Sequence, residues 1–304
     1  MRKLLSVPLF VLFSLFVPFA AFAQSEPAAS PAAADPQQTA MEAATEAAKK
    51  VLRVGPQDVP LLDQAVLKLP ADFGFIPAPE AAQYLKALGN PSTDDVAGLI
   101  VPVGDQKADW LVVVDYAPSG YIKDDDAKAW DADELLESLR AGTEEENKQR
   151  EQMGISALEI IGWVEPPKYD ESTRRLVWSI AARNHGDPAD ADNGINYNTY
   201  ALGREGYFSL NLLTSQSTVM QDKPAVQALL SALQFNEGKR YADFNADTDK
   251  VAEYGLAALV AGVAAKKMGL LAAAAVFFAK FWKLLAIGAV GFGAAARKLF
   301  NRNA

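Results

Sequence analysis

The chain has 304 residues, a net charge of −9, one histidine and no cysteine. The missing cysteines exclude thiol nucleophiles, cysteine-ligated zinc sites and disulfide bonds. The charge is unevenly distributed, because residues 24–250 carry 20 Lys and Arg against 37 Asp and Glu, whereas residues 251–304 carry 7 basic residues and 1 acid. An acidic body repels the phosphates of nucleic acid, so we expect no nucleic-acid partner.

The N-terminus, residues 1–23, has the order of a secretory signal peptide. Two basic residues precede a long apolar run, and the sequence AFA at 21–23 forms a small-x-small cleavage site. The apolar run is slightly long, which leaves an uncleaved anchor as the alternative. Residues 24–47 are rich in Ala, Pro, Ser and Gln, and this composition predicts a flexible lead-in with helix near 41–50.

Residues 48–245 are predicted to form an exported α+β domain. Its strands are runs of β-branched and aromatic residues, and its helices repeat apolar residues at three and four positions. The strand runs are 65–69, 73–77, 98–103, 110–116, 158–164, 175–181, 195–202 and 206–213, and the helical runs are 79–88, 132–151 and a closing helix from about 222. Because strands and helices come in runs, we predict a mainly antiparallel sheet with flanking helices, similar to an α-β-α sandwich.

Two local signals set details of this domain. Asp131 and Glu134 form a capping pattern at the start of the longest helix, 132–151. The second half of that helix, EEENKQRE, is nearly all charged, and we expect it to project into water. The sequence LGREG at 202–206 predicts a tight hairpin between the last two strands.

The C-terminal tail is predicted to anchor the chain in a membrane. Residues 246–265 are interpreted as a half-length or interfacial helix, and residues 266–304 as a transmembrane anchor with a short basic end. The apolar stretch 268–296 is long enough to span a bilayer once, although two lysines interrupt it. The side chains expected to position this anchor are Lys266, Lys267, Lys280, Trp282, Lys283, Arg297 and Lys298.

Two alternatives to a single span remain. The tail would form an interfacial hairpin if Lys280 and Lys283 contact anionic head groups, or a buried helical hairpin if the whole chain is soluble. With a span, the basic C-terminus lies in the cytoplasm by the positive-inside rule, and the main domain lies in the periplasm on the inner membrane.

The sequence contains no recognised catalytic signature, so no catalytic residue and no cofactor is predicted. The one histidine, His185, lies in a loop, and no G-x-S-x-G elbow is present for it to serve. The acidic run 124–126 is interpreted as a solvated turn before the long helix. Trp130, in the same loop, is a candidate exposed contact with a partner.

No metal site is predicted, but one acidic loop is an alternative. Alternating oxygen ligands, typical of a divalent-cation loop, occur at Asp243, Asn245, Asp247 and Asp249. The pattern departs from a calcium loop, since Thr248 replaces the required glycine and Tyr254 the bidentate glutamate. The competing interpretation is that Asp247 or Asp249 caps the helix that begins the membrane segment.

Several stretches together resemble a bacterial family of uncharacterised membrane-anchored proteins, a domain of unknown function. They are GWVEPPKYD at 162–170, Asn-Tyr at 196–197, LGREG at 202–206, FNEGKRYADF at 235–244 and TDKVAEYGLAALVAG at 248–262. The resemblance covers about residues 50–300 and implies export and a C-terminal anchor, with no established activity to carry over. The order of elements is also similar to PsbP-like domains, which are α-β-α sandwiches that act as accessory or binding modules.

The resulting hypothesis is a membrane-anchored periplasmic domain that acts as a non-enzymatic binding or accessory module of the cell envelope. Its expected partners are inner-membrane lipids, with an envelope protein or a second copy of the chain as further candidates. The alternatives are an envelope hydrolase that uses acidic loop residues, and a protein that oligomerises or remodels membranes through its C-terminal helices.

Overall fold

The computed structural model describes residues 36–261, apart from 89, 91–92, 105–107, 129, 153 and 155. The predicted signal peptide, the predicted span within 268–296 and the anchor residues from Lys266 to Lys298 lie outside these described residues. Over the part of the chain that is described, no helix has the length and apolar character needed to cross a membrane.

Five helices and eleven strands make up the described chain. The helices are α1 (Pro36–Val51), α2 (Ala78–Ala87), α3 (Ala132–Gln152), α4 (Val219–Ala232) and α5 (Leu256–Val260), with 3-10 turns η1 (Asp125–Lys128) and η2 (Tyr241–Asp243). The strands are β1 (Arg53–Val54), β2 (Gln57–Leu61), β3 (Ala65–Leu69), β4 (Phe73–Pro77), β5 (Val96–Pro102), β6 (Leu111–Ala117), β7 (Leu158–Asp170), β8 (Arg175–Asn184), β9 (Gly194–Leu202), β10 (Tyr207–Ser215) and β11 (Leu233–Phe235).

The strands form two antiparallel sheets, which confirms the predicted α+β class. The large sheet has eight strands in the order β1-β4-β5-β6-β10-β9-β8-β7, and the small sheet has the order β11-β3-β2. The predicted hairpin joins β9 to β10, where Leu202 pairs with Tyr207. Gly206 is required there, because a Cβ at this position would lie 2.0 Å from the carbonyl oxygen of Ala117.

Helices flank the large sheet on both faces. Alternate residues of β6 and β10, including Val112 and Leu210, pack into one core with α4 and the small sheet. On the opposite face, Val113 and Leu213 pack with α1 and α2. Farther along this opposite face, β8 packs with α3 and α5. The two helix groups on this face therefore sit at opposite ends of the sheet, over its outer strands.

Two helices differ from their predicted form. The lead-in is helical from Pro36, and Ala44 and Ala48 are buried against α2, so α1 crosses the predicted domain start at residue 48. The charged second half of α3 packs on β7, which corrects the expectation that it projects into water. Asn147 is buried there, and its side-chain amide donates to Leu158 O (2.9 Å) and accepts from Leu158 N (2.8 Å).

Candidate binding site beside the acidic loop

A small cavity opens between the acidic loop that contains η1 and the hairpin that joins β7 to β8. Its volume is about 230 Å³, which restricts it to small groups because small-molecule pockets usually have about 300–1,000 Å³. Two stretches singled out in the sequence meet in it, the acidic run with Trp130 and the GWVEPPKYD stretch. The lining residues are Asp124, Asp125, Ala127, Lys128, Trp130, Pro167, Tyr169 and Glu171.

Asp124 forms the inner wall of this cavity and is held by two partners. Its Oδ2 accepts a hydrogen bond from the Tyr169 hydroxyl (2.7 Å) and from the Arg174 guanidinium. Burial raises the pKa of Asp124, but the hydrogen bond from Tyr169 and the charge of Arg174 outweigh it and hold the pKa below its usual range. Asp124 is therefore a fixed carboxylate at neutral pH.

An aromatic cluster packs against Arg174, the partner of Asp124. The Tyr121 ring lies 4.3 Å from the Tyr241 ring and 3.9 Å from the Phe244 ring, measured between centroids. The Arg174 guanidinium carbon lies 4.8 Å from the centroid of Tyr241, a cation–π distance. The Tyr241 hydroxyl donates to Ile122 O (2.8 Å). These contacts hold Tyr241 in place against Arg174, which is the side chain paired with Asp124.

Asp126 has a different role, because it caps α5 from a distance of 130 residues in the chain. Its carboxylate oxygens accept hydrogen bonds from Leu256 N (3.1 Å) and Ala257 N (3.0 Å). Gly255 allows this approach, since a Cβ there would lie 2.3 Å from Asp126 Oδ2. The prediction that Asp247 or Asp249 caps this helix is wrong, because Asp126 occupies the first turn.

The half-length helix predicted at 246–265 begins, in the described part, at Leu256. Leu256, Leu259 and Val260 are buried in the core with α3 and β8. Val251, before the helix, forms an isolated parallel bridge with Tyr121. This segment is therefore part of the domain as far as residue 261.

Three of the four candidate metal ligands use their side-chain oxygens in turns or in an ion pair, and Asp247 takes part through its backbone N–H. Asp249 accepts two hydrogen bonds from Arg204, at 2.6 and 2.7 Å, and Asp243 accepts one from Arg240 N at 3.0 Å. Asn245 Oδ1 accepts from Asp247 N at 3.0 Å. Among the residues that the structure describes, no three His, Cys, Asp or Glu lie close enough to hold a metal ion. The divalent-cation alternative therefore stays a prediction.

The two other residues singled out for chemistry lie apart from each other. His185 is exposed in the loop after β8. Trp130 is half-buried, and its ring packs against the core formed by α3, α5 and β8 while also lining the cavity. Trp130 therefore lines the cavity and is not a freely exposed contact.

Stretches that carry the family resemblance contact each other in the fold. Glu165 of the GWVEPPKYD stretch accepts hydrogen bonds from Tyr197 (2.9 Å) and Lys223 (2.6 Å). Arg204 of LGREG binds Asp249 of the TDKVAEYG stretch. These pairs join distant parts of the chain, which gives the stretches a structural role.

A second polar region lies on the large sheet, and it was not predicted from the sequence. Asp115, Ser209, Asn211, Asn198 and Asn196 share one face, as cross-strand partners or alternate residues of β6, β10 and β9. We call these five residues the polar strip. It lies between the two helix groups of that face. The alternation of asparagines with apolar residues in INYNTY was a signal that could have indicated it.

The polar strip holds a carboxyl group with a shifted pKa. Asp115 is partly buried by surface area but closely surrounded by protein, and this burial, with the charge of Asp95, raises its pKa to about 8. Nearby, Asn198 is buried, and Asn211 Oδ1 is buried without a hydrogen-bond partner in the described part of the chain. Buried polar groups of this kind lower stability unless they are paired.

The fold and the cavity define a mixed α+β domain with a large antiparallel sheet and a small acidic and aromatic cavity at one edge. The chain belongs to a family of proteins of unknown function, DUF2167, which matches residues 53–291. Curated proteins give no match. Among solved structures, the chain is similar to the solution structure of cyanobacterial PsbP (CyanoP) from Synechocystis sp. PCC 6803. That likeness has a TM-score of 0.35 and 10% identity, and covers 61% of this chain and 93% of the other.

Proposed function

We propose that this protein is a membrane-anchored periplasmic domain that acts as a non-enzymatic binding or accessory module of the cell envelope. The signal-peptide pattern at 1–23 and the apolar, basic tail at 266–304 support export and anchoring. The main domain then lies in the periplasm, and the C-terminus lies in the cytoplasm.

The observation that carries this proposal is the attachment of α5 to the domain. Asp126 caps the helix, and Leu256, Leu259 and Val260 are buried. The chain reaches the predicted spanning stretch, 268–296, 7 residues after 261. A fully extended segment of that length spans at most about 25 Å, so a spanning tail keeps the α5 edge of the domain near the membrane.

The roles of Asp124 and Asp126 within the fold favour a binding function of the acidic loop over hydrolysis. A general acid or base works best with a pKa near the operating pH. Asp124 instead has a lowered pKa, and Asp126 is used as a helix cap. The loop's carboxylates therefore support the fold and give its surface a negative charge.

Photo-cross-linking of the full-length chain in intact cells tests this proposal. A photoreactive residue replaces Lys128 at the cavity rim, and the matched control replaces Lys148, which is similarly exposed on α3. We expect adducts from position 128 and few from position 148, and we expect the chain to stay with membranes at alkaline pH. Release from the membrane by alkaline carbonate would contradict anchoring. Equal adducts from both positions would contradict a binding role for this face.

A further inference from the structure

The cavity beside the acidic loop has the size of one head group or one side chain. Its volume is about 230 Å³, below the 300–1,000 Å³ that is usual for small-molecule pockets. Trp130, Tyr169 and Pro167 line it together with acidic residues. Indole and phenol faces attract cations, and carboxylates accept hydrogen bonds from ammonium groups. The chemistry of the walls therefore fits an ammonium group.

The charge around the cavity fits a ligand that carries both signs. Asp124 is already paired with Arg174, which leaves Asp125 and Glu171 as carboxylates at the mouth. Lys128 lies 3.8 Å from Glu171, and both side chains are more than half exposed. Such an exposed pair is weak, so a ligand can separate it. An ammonium group would then contact Glu171 and Asp125, and Lys128 would be free to contact an adjacent phosphate.

The position of the cavity selects the source of such a ligand. The η1 turn, which lines the cavity, packs against α5 through Asp126. By the proposed anchoring, the α5 edge of the domain lies within about 25 Å of the bilayer. Phospholipid head groups with an ammonium group next to a phosphate are abundant at a bilayer surface.

We propose that this cavity binds the head group of a zwitterionic phospholipid, with the ammonium group against Trp130 and Glu171 and the phosphate against Lys128. This inference rests on the proposed membrane anchoring. It gives the acidic loop a second role, which is to bind lipid head groups at the membrane surface. A plain basic side chain from a partner protein would use the carboxylates but would give Lys128 nothing to bind.

Lipid cross-linking tests the proposal with the full-length protein. The chain is reconstituted in phosphatidylglycerol vesicles that contain phosphatidylethanolamine with a photoactivatable head group. We expect adducts on the loop 124–130 or on 167–171, and about fivefold fewer adducts in Trp130→Ala and in Glu171→Gln. Glu137→Gln, an exposed acid on α3, is the matched control and should match the wild type. Unchanged adducts in folded Glu171→Gln would overturn the proposal.

A soluble arm separates this proposal from the anchoring on which it rests. Full-length protein in detergent is titrated with O-phosphoethanolamine and with N-acetyl-lysine amide, and binding is measured by calorimetry. Preferential binding of O-phosphoethanolamine, lost in Glu171→Gln, supports the site even if alkaline carbonate releases the chain from membranes. Equal or tighter binding of the lysine derivative would overturn the lipid assignment in favour of a protein side chain. Membrane retention without binding of either probe would overturn the site and leave the anchoring intact.

Discussion

The acidic loop and the polar strip are both rich in side-chain oxygen, but they treat a carboxyl group in opposite ways. In the loop, Asp124 is paired with Arg174 and Tyr169, and its pKa is lowered. In the strip, burial and the nearby charge of Asp95 raise the pKa of Asp115 to about 8. Burial raises the pKa of both groups, so the difference comes from its smaller extent at Asp124 and from the hydrogen bond of Tyr169 and the charge of Arg174, which lower the pKa of Asp124.

The two carboxyl groups therefore have opposite effects on the stability of the fold at neutral pH. A paired carboxylate with a lowered pKa stabilises the fold at neutral pH, whereas a carboxyl group with a raised pKa stabilises it only in acid. The loop thus joins its hairpin and α5 to the sheet. Asp115 lowers stability as the pH rises toward neutral, because the folded state keeps a proton that the unfolded chain releases.

The largest effect is expected for Asp115→Asn. The folded-state pKa of about 8 lies above the ordinary value of 3.8, so wild-type stability falls as the pH rises from about 4 through 8. The amide cannot ionise, so the variant should be more stable by about 1–3 kcal/mol at a pH above 8, and the gain should vanish near pH 4. Denaturant unfolding of both proteins across this range measures it. Parallel pH profiles would show that Asp115 ionises freely in the folded state.

The next effect is expected for Asp126→Ala, which removes the cap of α5. Two backbone N–H groups of a part-buried helix start lose their acceptors, and loss of an N-cap costs about 1–2 kcal/mol. Limited proteolysis near residues 250–261, together with denaturant unfolding, measures this loss. Asp125→Ala is the control, because Asp125 is exposed, and it should stay within about 0.5 kcal/mol of the wild type. A similar loss in both variants would refute the capping role.

A smaller effect is expected for Tyr169→Phe. The change removes one hydrogen bond to Asp124 and keeps Arg174, so we expect a loss of about 1 kcal/mol at neutral pH. Because the hydroxyl helps to lower the pKa of Asp124, this loss should shrink as the pH falls through that pKa and the carboxyl group becomes protonated. Unfolding free energies at neutral and acid pH give the result, and a loss that grows in acid would be inconsistent with it.

The smallest effect on stability is expected for Lys128→Ala. The pair with Glu171 is long, at 3.8 Å, and the two side chains are 75% and 61% exposed. Its removal should change the free energy of unfolding by less than about 0.5 kcal/mol. Head-group cross-linking should nevertheless fall in this variant, since Lys128 is the proposed phosphate contact. A large stability loss would instead make Lys128 part of the fold.

Much of the architecture followed from local sequence signals. Strand runs such as 110–116 were predicted from β-branched and aromatic residues, and β6 occupies Leu111–Ala117. The start of α3 followed from Asp131, whose Oδ1 accepts from Asp133 N (2.9 Å) and Glu134 N (3.1 Å). The hairpin at 202–206 followed from its glycines. Each of these signals lies within a few residues of the structure that it determines.

What only the tertiary structure decided depends on contacts between distant segments. Asp126 and α5 are 130 residues apart, so sequence spacing favoured the nearer Asp247 and Asp249 as caps. The polar strip exists because β6, β10 and β9 pair in one register, and strand order cannot be derived from alternation within a strand. The sequence by itself determined the type of each element that it predicted, together with the acidic body and the apolar tail. Strand pairing then decided that Asp124 meets Arg174, whereas Asp115 is enclosed with no cation beside it among the described residues.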